Sequence, residues 1–404
     1  MQQRTASLLA GRLRDRFHPS DGAGAMQKLD ALTGLRFFAA LVIVIFHAQG
    51  VFHFPWIPTI FIPIQGVSFF FVLSGFILTF RYPTLSGSTE TLAFLRSRFA
   101  RIWPAHIAAL ALAMALLYGA SATYPQFYSP RTLIASVALI QSWFGLSDYF
   151  MPYNPVSWSI STETAFYLLF PFLIWNFAKT WHIKLTGSLA LALAMIFICQ
   201  HFAVPYLDLT NGGLSMLGLV YIHPAARLFE FVLGMSAAHL WRCWPTPTLG
   251  PAMWTVIEGA AVALVLFNVP LTGLLIDVQT LSAPARTWIQ TSGSIALPST
   301  VLIFVAATGR GLISKGLGSA VMVRLGEISF SLYLVHFTVF RFFGNHEAIF
   351  AGLRNAPEFL LALAASMTLA YLIWKFVEAP SRSFISGHSR SISLRARPSE
   401  LPSP

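Results

Sequence analysis

The chain has 404 residues, 56% of them hydrophobic and 10% charged, with a mean hydropathy of +0.66. Water-soluble globular domains carry about 25% charge, so a soluble enzyme is excluded, and the net charge of +11 becomes a question of which side of a bilayer the cations occupy rather than a sign of nucleic-acid binding. Each membrane-spanning helix takes roughly 20 apolar residues, and the apolar content suffices for about ten.

In chain order, residues 1–28 read as a polar N-terminal tail, 29–385 as a membrane domain and 386–404 as a polar C-terminal tail. Long apolar runs predict spans over 34–53, 64–82, 104–122, 157–177, 185–204, 223–241, 252–270, 293–308, 326–344 and 358–377. The stretch Thr132 to Gly145 is about 14 residues, too short to cross, and reads as interfacial or re-entrant. With the N-terminus inside and that stretch not crossing, all of the 26 Lys and Arg except Arg131, Arg227, Arg286, Arg341 and Arg354 fall on the inner side. This follows the positive-inside rule; counting the short stretch as a span inverts every later loop and loses the bias. The expected fold is therefore an all-α polytopic membrane protein of about ten transmembrane helices with both termini cytoplasmic. The first run lacks a small-residue cleavage site and is expected to be a retained helix. Cys199 then lies toward the outer face and Cys243 just inside, so the two cysteines do not pair. No internal repeat, glycine-rich phosphate loop or His/Cys metal spacing is present in the sequence, and no metal is expected.

Ionisable groups inside spans are costly and usually face a cavity, a pathway or a partner. Arg36 and His47 are separated by 11 residues, which places them within about 20° of one helix face and roughly 16 Å apart along the axis. In the fourth span, Trp158-Ser159-Ile160-Ser161-Thr162-Glu163 carries a carboxylate roughly 9 Å below the outer start. Counted from the inner face, His47 and Glu163 reach the same depth of about 20 Å. A carboxylate orienting an imidazole is a general-base arrangement; the alternative is an ion pair that fixes helix packing. Arg98 and Arg101, three residues apart before Trp103-Pro104, flank the expected N-terminal end of the third span. There a helix dipole favours a phosphate, although arginines at an inner helix end are also ordinary topology determinants. Arg227 and Glu230, at i and i+3, read as a structural clamp. His336 lies near the middle of its span and reads, taken alone, as a satisfied core histidine. The aromatic stretch with Trp143, Phe144, Tyr149, Phe150, Tyr153 and Trp158 suits stacking on sugar rings or an interfacial belt.

These residues fall in stretches that resemble the acyltransferase-3 family of polytopic membrane O-acyltransferases. The stretches are Leu29–Arg36 running to His47, Gly66–Phe76, Arg98–Pro104, Trp158–Glu163 with Phe166-Tyr167, Arg227–Gly234, Ser329–His336 and Glu378-Ala379-Pro380, in the family's order. The resemblance implies transfer of an acyl group, usually acetyl, from cytoplasmic acyl-CoA to a hydroxyl of a bacterial surface sugar or related acceptor. It implies that the span-one histidine, His47, is essential, that the Arg-x-x-Arg pair falls on Arg98 and Arg101, and that the span-one arginine is Arg36. Many members carry Asp or Glu where this chain has Ser68, which makes Glu163 the better candidate partner for His47. The expected partners are acyl-CoA (acetyl-CoA by family frequency), membrane lipid and a carbohydrate or glycolipid acceptor, with no nucleic acid, and the expected location is the bacterial cytoplasmic membrane. In the expected mechanism Arg36, Arg98 and Arg101 hold the donor phosphates and His47 takes a proton from the acceptor hydroxyl. Ser161, Trp158 and His336 are candidate donors to the oxyanion. The competing class is a proton-coupled transporter or a flippase of a sugar or glycolipid, since intramembrane Arg, His and Glu suit that role as well.

Overall fold

The computed structural model describes residues 22–52, 63–117, 128–244, 246–350, 353 and 356–384, with side chains from Leu29 onward. Most of the expected terminal tails, residues 118–122 of the third expected span and Arg354 lie outside the described residues. Regular structure among the described residues is helical, with one isolated β-bridge between Leu146 and Leu214. The main helices are α1 (Gly22–Phe52), α2 (Gly66–Arg81), α3 (Gly87–Leu116), α4 (Pro130–Ala138), α5 (Trp158–Ile174) and α6 (Phe177–His201). They continue with α7 (Leu217–Cys243), α8 (Pro251–Leu266), α9 (Asn268–Leu275), α10 (Ala283–Ala306), α11 (Ala320–Asn345) and α12 (Ala356–Phe384).

Seven of these helices, α1, α3, α6, α7, α10, α11 and α12, are long and apolar enough to cross a membrane, and α8 with α9 makes an eighth if the pair, bent by 69°, is one span. The chain is a multi-pass membrane protein. Against the ten spans expected, seven or eight helices among the described residues are of full length, and the stretches expected at 64–82 and 157–177 form helices of only 16 and 17 residues. At 1.5 Å per residue these rise about 24–26 Å, short of a ~30 Å hydrocarbon core. Each begins after a tight turn, Pro63–Gln65 or Pro155–Ser157, that takes up the first residues of the expected run. The stretch expected not to cross contains α4, nine residues long, capped by Ser129 and ended by Leu139 in the left-handed conformation at φ 57°. The Trp103 indole donates to the Val137 carbonyl at 3.0 Å and His106 to the Ser136 carbonyl at 2.9 Å, which fastens α4 to α3.

Two close helix crossings organise the interior. The small residues Gly75 and Gly234 face each other's helix, and a Cβ on either would collide with the backbone carbonyl of Phe231 or Val72 respectively. They allow α2 and α7 to pack backbone to backbone, the commonest use of small residues in membrane helix contacts. Gly326 likewise lets α11 approach the Thr33 carbonyl of α1. Around these crossings Val44, Phe71, Phe76, Phe166, Phe231, Leu334 and Phe340 are buried. The short α2 and α5 therefore sit among longer helices with their polar faces turned inward.

Candidate active site

Two helices deliver three cations to one cavity. Arg36 of α1, Arg98 and Arg101 of α3, and Ser74, Glu163, Tyr167 and Tyr333 of α2, α5 and α11 all line it. The Glu163 Oε1 accepts hydrogen bonds from Ser74 Oγ at 2.8 Å and from the Tyr167 hydroxyl, one helical turn along, at 2.6 Å. The Arg98 guanidinium lies 5.9 Å from the ring centroids of Tyr82, Phe94 and Tyr167, within range for cation–π attraction. Among the described residues, none of Arg36, Arg98 and Arg101 forms an ion pair. A second opening lined by Arg81, Tyr82, Ser97 and Arg382 shares Arg98 and Arg101 with this cavity. Arg382 is held by Glu378 at 3.2 Å, whose other oxygen accepts from Ser331 Oγ at 2.8 Å.

Arg98 and Arg101 were expected to flank the start of a helix. Instead α3 begins at Gly87, and Pro104 lies in its interior. Helix-end amides therefore do not contribute to the cation cluster, and the guanidiniums alone provide its positive charge. The reason is that the polar stretch preceding the apolar run continues the same helix, its polar residues exposed and its Phe94, Arg98 and Ala100 buried.

His47 lines a second cavity, with Ile43, Phe46, Phe150, Trp158, Tyr206, Tyr221 and Phe337 among its walls. The two cavities share Val67 and Tyr333. The Tyr333 hydroxyl is fixed at this junction by Ser159 Oγ at 2.8 Å and by the Val156 carbonyl at 3.0 Å. His47 Nδ1 lies 3.0 Å from His336 Nε2, and His336 Nδ1 lies 3.1 Å from the Leu332 carbonyl oxygen. The expected pairing of His47 with Glu163 is corrected: the carboxylate is hydrogen-bonded within the arginine cavity and the imidazole within the other. Rise along each helix predicts a common depth but does not say which cavity each side chain enters.

Arg227 and Glu230 are brought together, both fully buried. The guanidinium Nε donates to the two carboxylate oxygens at 3.0 and 3.1 Å. Its other nitrogens donate to the Tyr221 carbonyl and to Ser68 Oγ, both at 2.8 Å. Ser68 in turn donates to the Thr291 carbonyl at 3.1 Å. The guanidinium lies 4.9 Å from the rings of Phe71 and Tyr221 and 5.8 Å from that of Trp158. This clamp supports two walls of the His47 cavity without lining it.

Of the other sequence candidates, Trp158 lines the His47 cavity. Ser161 does not: fully buried, it donates to the Leu139 carbonyl at 2.8 Å and accepts from the Ser142 amide at 3.2 Å and hydroxyl at 2.8 Å. Its expected availability to an oxyanion is corrected, because the serine anchors the turn after α4. His336 is wholly buried behind His47. From the aromatic stretch, Phe150 joins Trp158 in the cavity wall, whereas Trp143 donates to the Ser161 carbonyl at 3.3 Å, Tyr153 to that of Ser129 at 3.3 Å, and Phe144 packs on Tyr149 at 4.6 Å. Sequence reasoning missed Ser74, Tyr167, Tyr333 and Arg382. For Tyr167 and Arg382 a signal existed in their i+4 spacing from Glu163 and Glu378; Ser74 and Tyr333 make long-range contacts. No group of three or more metal-ligating side chains occurs among the described residues.

The described residues form a helical, multi-pass membrane protein with an arginine-lined cavity beside a histidine-lined one. The chain belongs to the acyltransferase-3 family: residues 29–375 match its acyltransferase domain. It is 31% identical over 362 residues to Acyltransferase MdmB of Streptomyces mycarofaciens, covering 85% of this chain and 87% of that protein. It is also 25% identical over 374 residues to O-acetyltransferase OatA of Staphylococcus aureus (strain NCTC 8325 / PS 47), covering 88% of this chain but 57% of the relative. No solved structure matches. The chain is an acyltransferase related to O-acetyltransferases, and the transporter alternative is set aside by this membership.

Proposed function

We propose that this acyltransferase moves an acyl group, acetyl in the first instance, from cytoplasmic acyl-CoA to a hydroxyl of a carbohydrate-type acceptor at the bacterial cytoplasmic membrane, with both termini cytoplasmic. The observation that carries the reading is the set of three guanidiniums without ion-pair partners among the described residues, lining a cavity that shares Val67 and Tyr333 with the His47 cavity. Three guanidiniums whose charge the single Glu163 carboxylate offsets only in part favour an anionic ligand, and the phosphates of acyl-CoA satisfy Arg36, Arg98 and Arg101. The long pantetheine arm then carries the thioester past Val67 and Tyr333 toward His47. The imidazole takes the proton from the acceptor hydroxyl as the oxygen attacks the thioester carbonyl. The carbon–sulfur bond breaks, the thiolate leaves, and the imidazolium returns its proton to the sulfur, giving an ester and free CoA thiol. Trp158 is the sequence candidate for an oxyanion donor that lines the His47 cavity. The similarity to the O-acetyltransferase OatA supports the acetyl and hydroxyl assignments.

The test is consumption of labelled acetyl-CoA by the purified full-length protein and its variants, with correct membrane insertion checked for each. His47→Ala is expected to lower turnover by about 10²–10⁴-fold, the usual contribution of a general base, with donor affinity unchanged. Arg98→Ala and Arg101→Ala are expected to weaken acyl-CoA binding. Wild-type turnover in the His47 variant removes the proposed base, and unchanged donor affinity in both arginine variants removes the phosphate site.

A further inference from the structure

We infer that His336 is a positioning residue that fixes the tautomer of His47, so that Nε2 is the nitrogen that receives the acceptor's proton. The inference rests on the reading of His47 as general base and names the atom through which it acts.

The argument begins at the Leu332 carbonyl. A carbonyl oxygen only accepts, so the 3.1 Å contact with His336 Nδ1 requires a hydrogen on that nitrogen. His336 is fully buried and has no ion-pair partner among the described residues, which favours the neutral ring. A neutral ring protonated at Nδ1 carries its lone pair on Nε2. That lone pair faces His47 Nδ1 across 3.0 Å, and a nitrogen–nitrogen contact of this length needs one hydrogen between the two. The hydrogen therefore sits on His47 Nδ1, and the neutral His47 ring has its lone pair on Nε2.

His336 itself is absent from the cavity wall that His47 lines, and both of its nitrogens are committed. It neither touches the acceptor nor donates to an oxyanion, which corrects the expectation that it is a candidate for that role. Its chemistry is exerted through His47, as second-layer partners commonly orient a reacting imidazole. The His47 ring also packs on Phe337, with ring centroids 4.8 Å apart. Some orientation thus survives without His336, and its removal should cost part of the contribution of the base rather than all of it.

The decisive measurement is nitrogen NMR of the full-length protein in lipid nanodiscs, labelled at histidine, with the His47 signals identified by their loss in His47→Gln. The expected spectrum has a protonated Nδ1 and an unprotonated Nε2 on neutral His47; the reverse pattern overturns the inference. In parallel, His336→Ala should lower kcat by roughly 10–100-fold, part of what a general base supplies, with KM for acyl-CoA unchanged. His336→Gln should recover most of the loss, because its amide oxygen accepts from His47 Nδ1–H. Full kcat in the alanine variant, or equal losses in both with a raised KM, overturns the positioning role. If neither variant folds, the wild-type spectrum decides alone. Retained turnover in His47→Ala instead defeats the base assignment, while the spectrum still judges the tautomer.

Discussion

Glu163 carries a different role from the one its sequence position suggests. Its carboxylate is fixed by Ser74 and Tyr167 in the arginine cavity, where it offsets part of the positive charge of three guanidiniums. Glu163→Gln keeps an oxygen for the same two donors and removes only the charge. Loss of about 1 kcal/mol of repulsion toward a bound phosphate predicts tighter acyl-CoA binding by about fivefold. The acid limb of the kcat–pH profile, assigned to His47, should stay in place; a displaced limb would mean that the carboxylate does act on the imidazole. Arg227 shows the same logic from the other side. At the family's usual acidic position this chain has Ser68, which accepts from the guanidinium, while Glu230 alone supplies the opposing charge.

At the scale of elements, the site depends on how closely α2 and α7 approach. The carbonyls of Phe231 and Val72 occupy the space that side chains on Gly75 and Gly234 would need. Gly234→Ala is therefore expected to destabilise the protein by about 1–3 kcal/mol, as overpacking does, seen as a lower thermal midpoint in detergent. Gly259→Ala on α8, where an added Cβ meets nothing within 4 Å, should leave the midpoint unchanged and serves as the control. Equal midpoints for the two variants would show that the α2–α7 contact does not limit stability. The wider turn at Ile289–Gly293 has a related use. Its Gln290 and Thr291 carbonyls accept from Gln65 at 2.6 Å and Ser68 at 3.1 Å. Such wide turns free carbonyls from the regular ladder, and here they tie the start of α2 to α10. Glu258 performs a similar task at the other side of α10, accepting from the amides of Gly311 and Ile313 at 3.0 Å and Ser314 at 3.2 Å.

For the whole molecule, the bias of its cations predicts which end faces the cytosol. Cys243 is exposed at the end of α7, and Cys199 is buried. With the proposed orientation, a membrane-impermeant maleimide should label Cys243 in inside-out vesicles and leave it unmodified in intact spheroplasts. Labelling from the outside would invert the orientation and place the arginine cavity on the wrong side for cytosolic acyl-CoA. The same scale shows how the cavities relate to the chain. Residues from α1, α2, α3, α5 and α11 meet in the arginine cavity, so a site that spans the bundle is assembled from segments separated by up to some three hundred positions.

Composition and long apolar runs were enough to establish a multi-pass helical membrane protein, because burying a backbone in lipid demands helices whose outward faces are apolar. The ordered motifs were enough to mark the residues of interest, and i+3 or i+4 spacing was enough to pair Arg227 with Glu230. Span length was legible only where the apolar run and the helix coincide; at α2 and α5 part of the run forms a turn. The partner of His47 was beyond the reach of spacing. Rise per residue gives depth in the bilayer, while the direction of a side chain around its helix acquires meaning only when the neighbouring helices are in place. Packing of α11 against α1 through Gly326 sets His336, and not Glu163, against the imidazole.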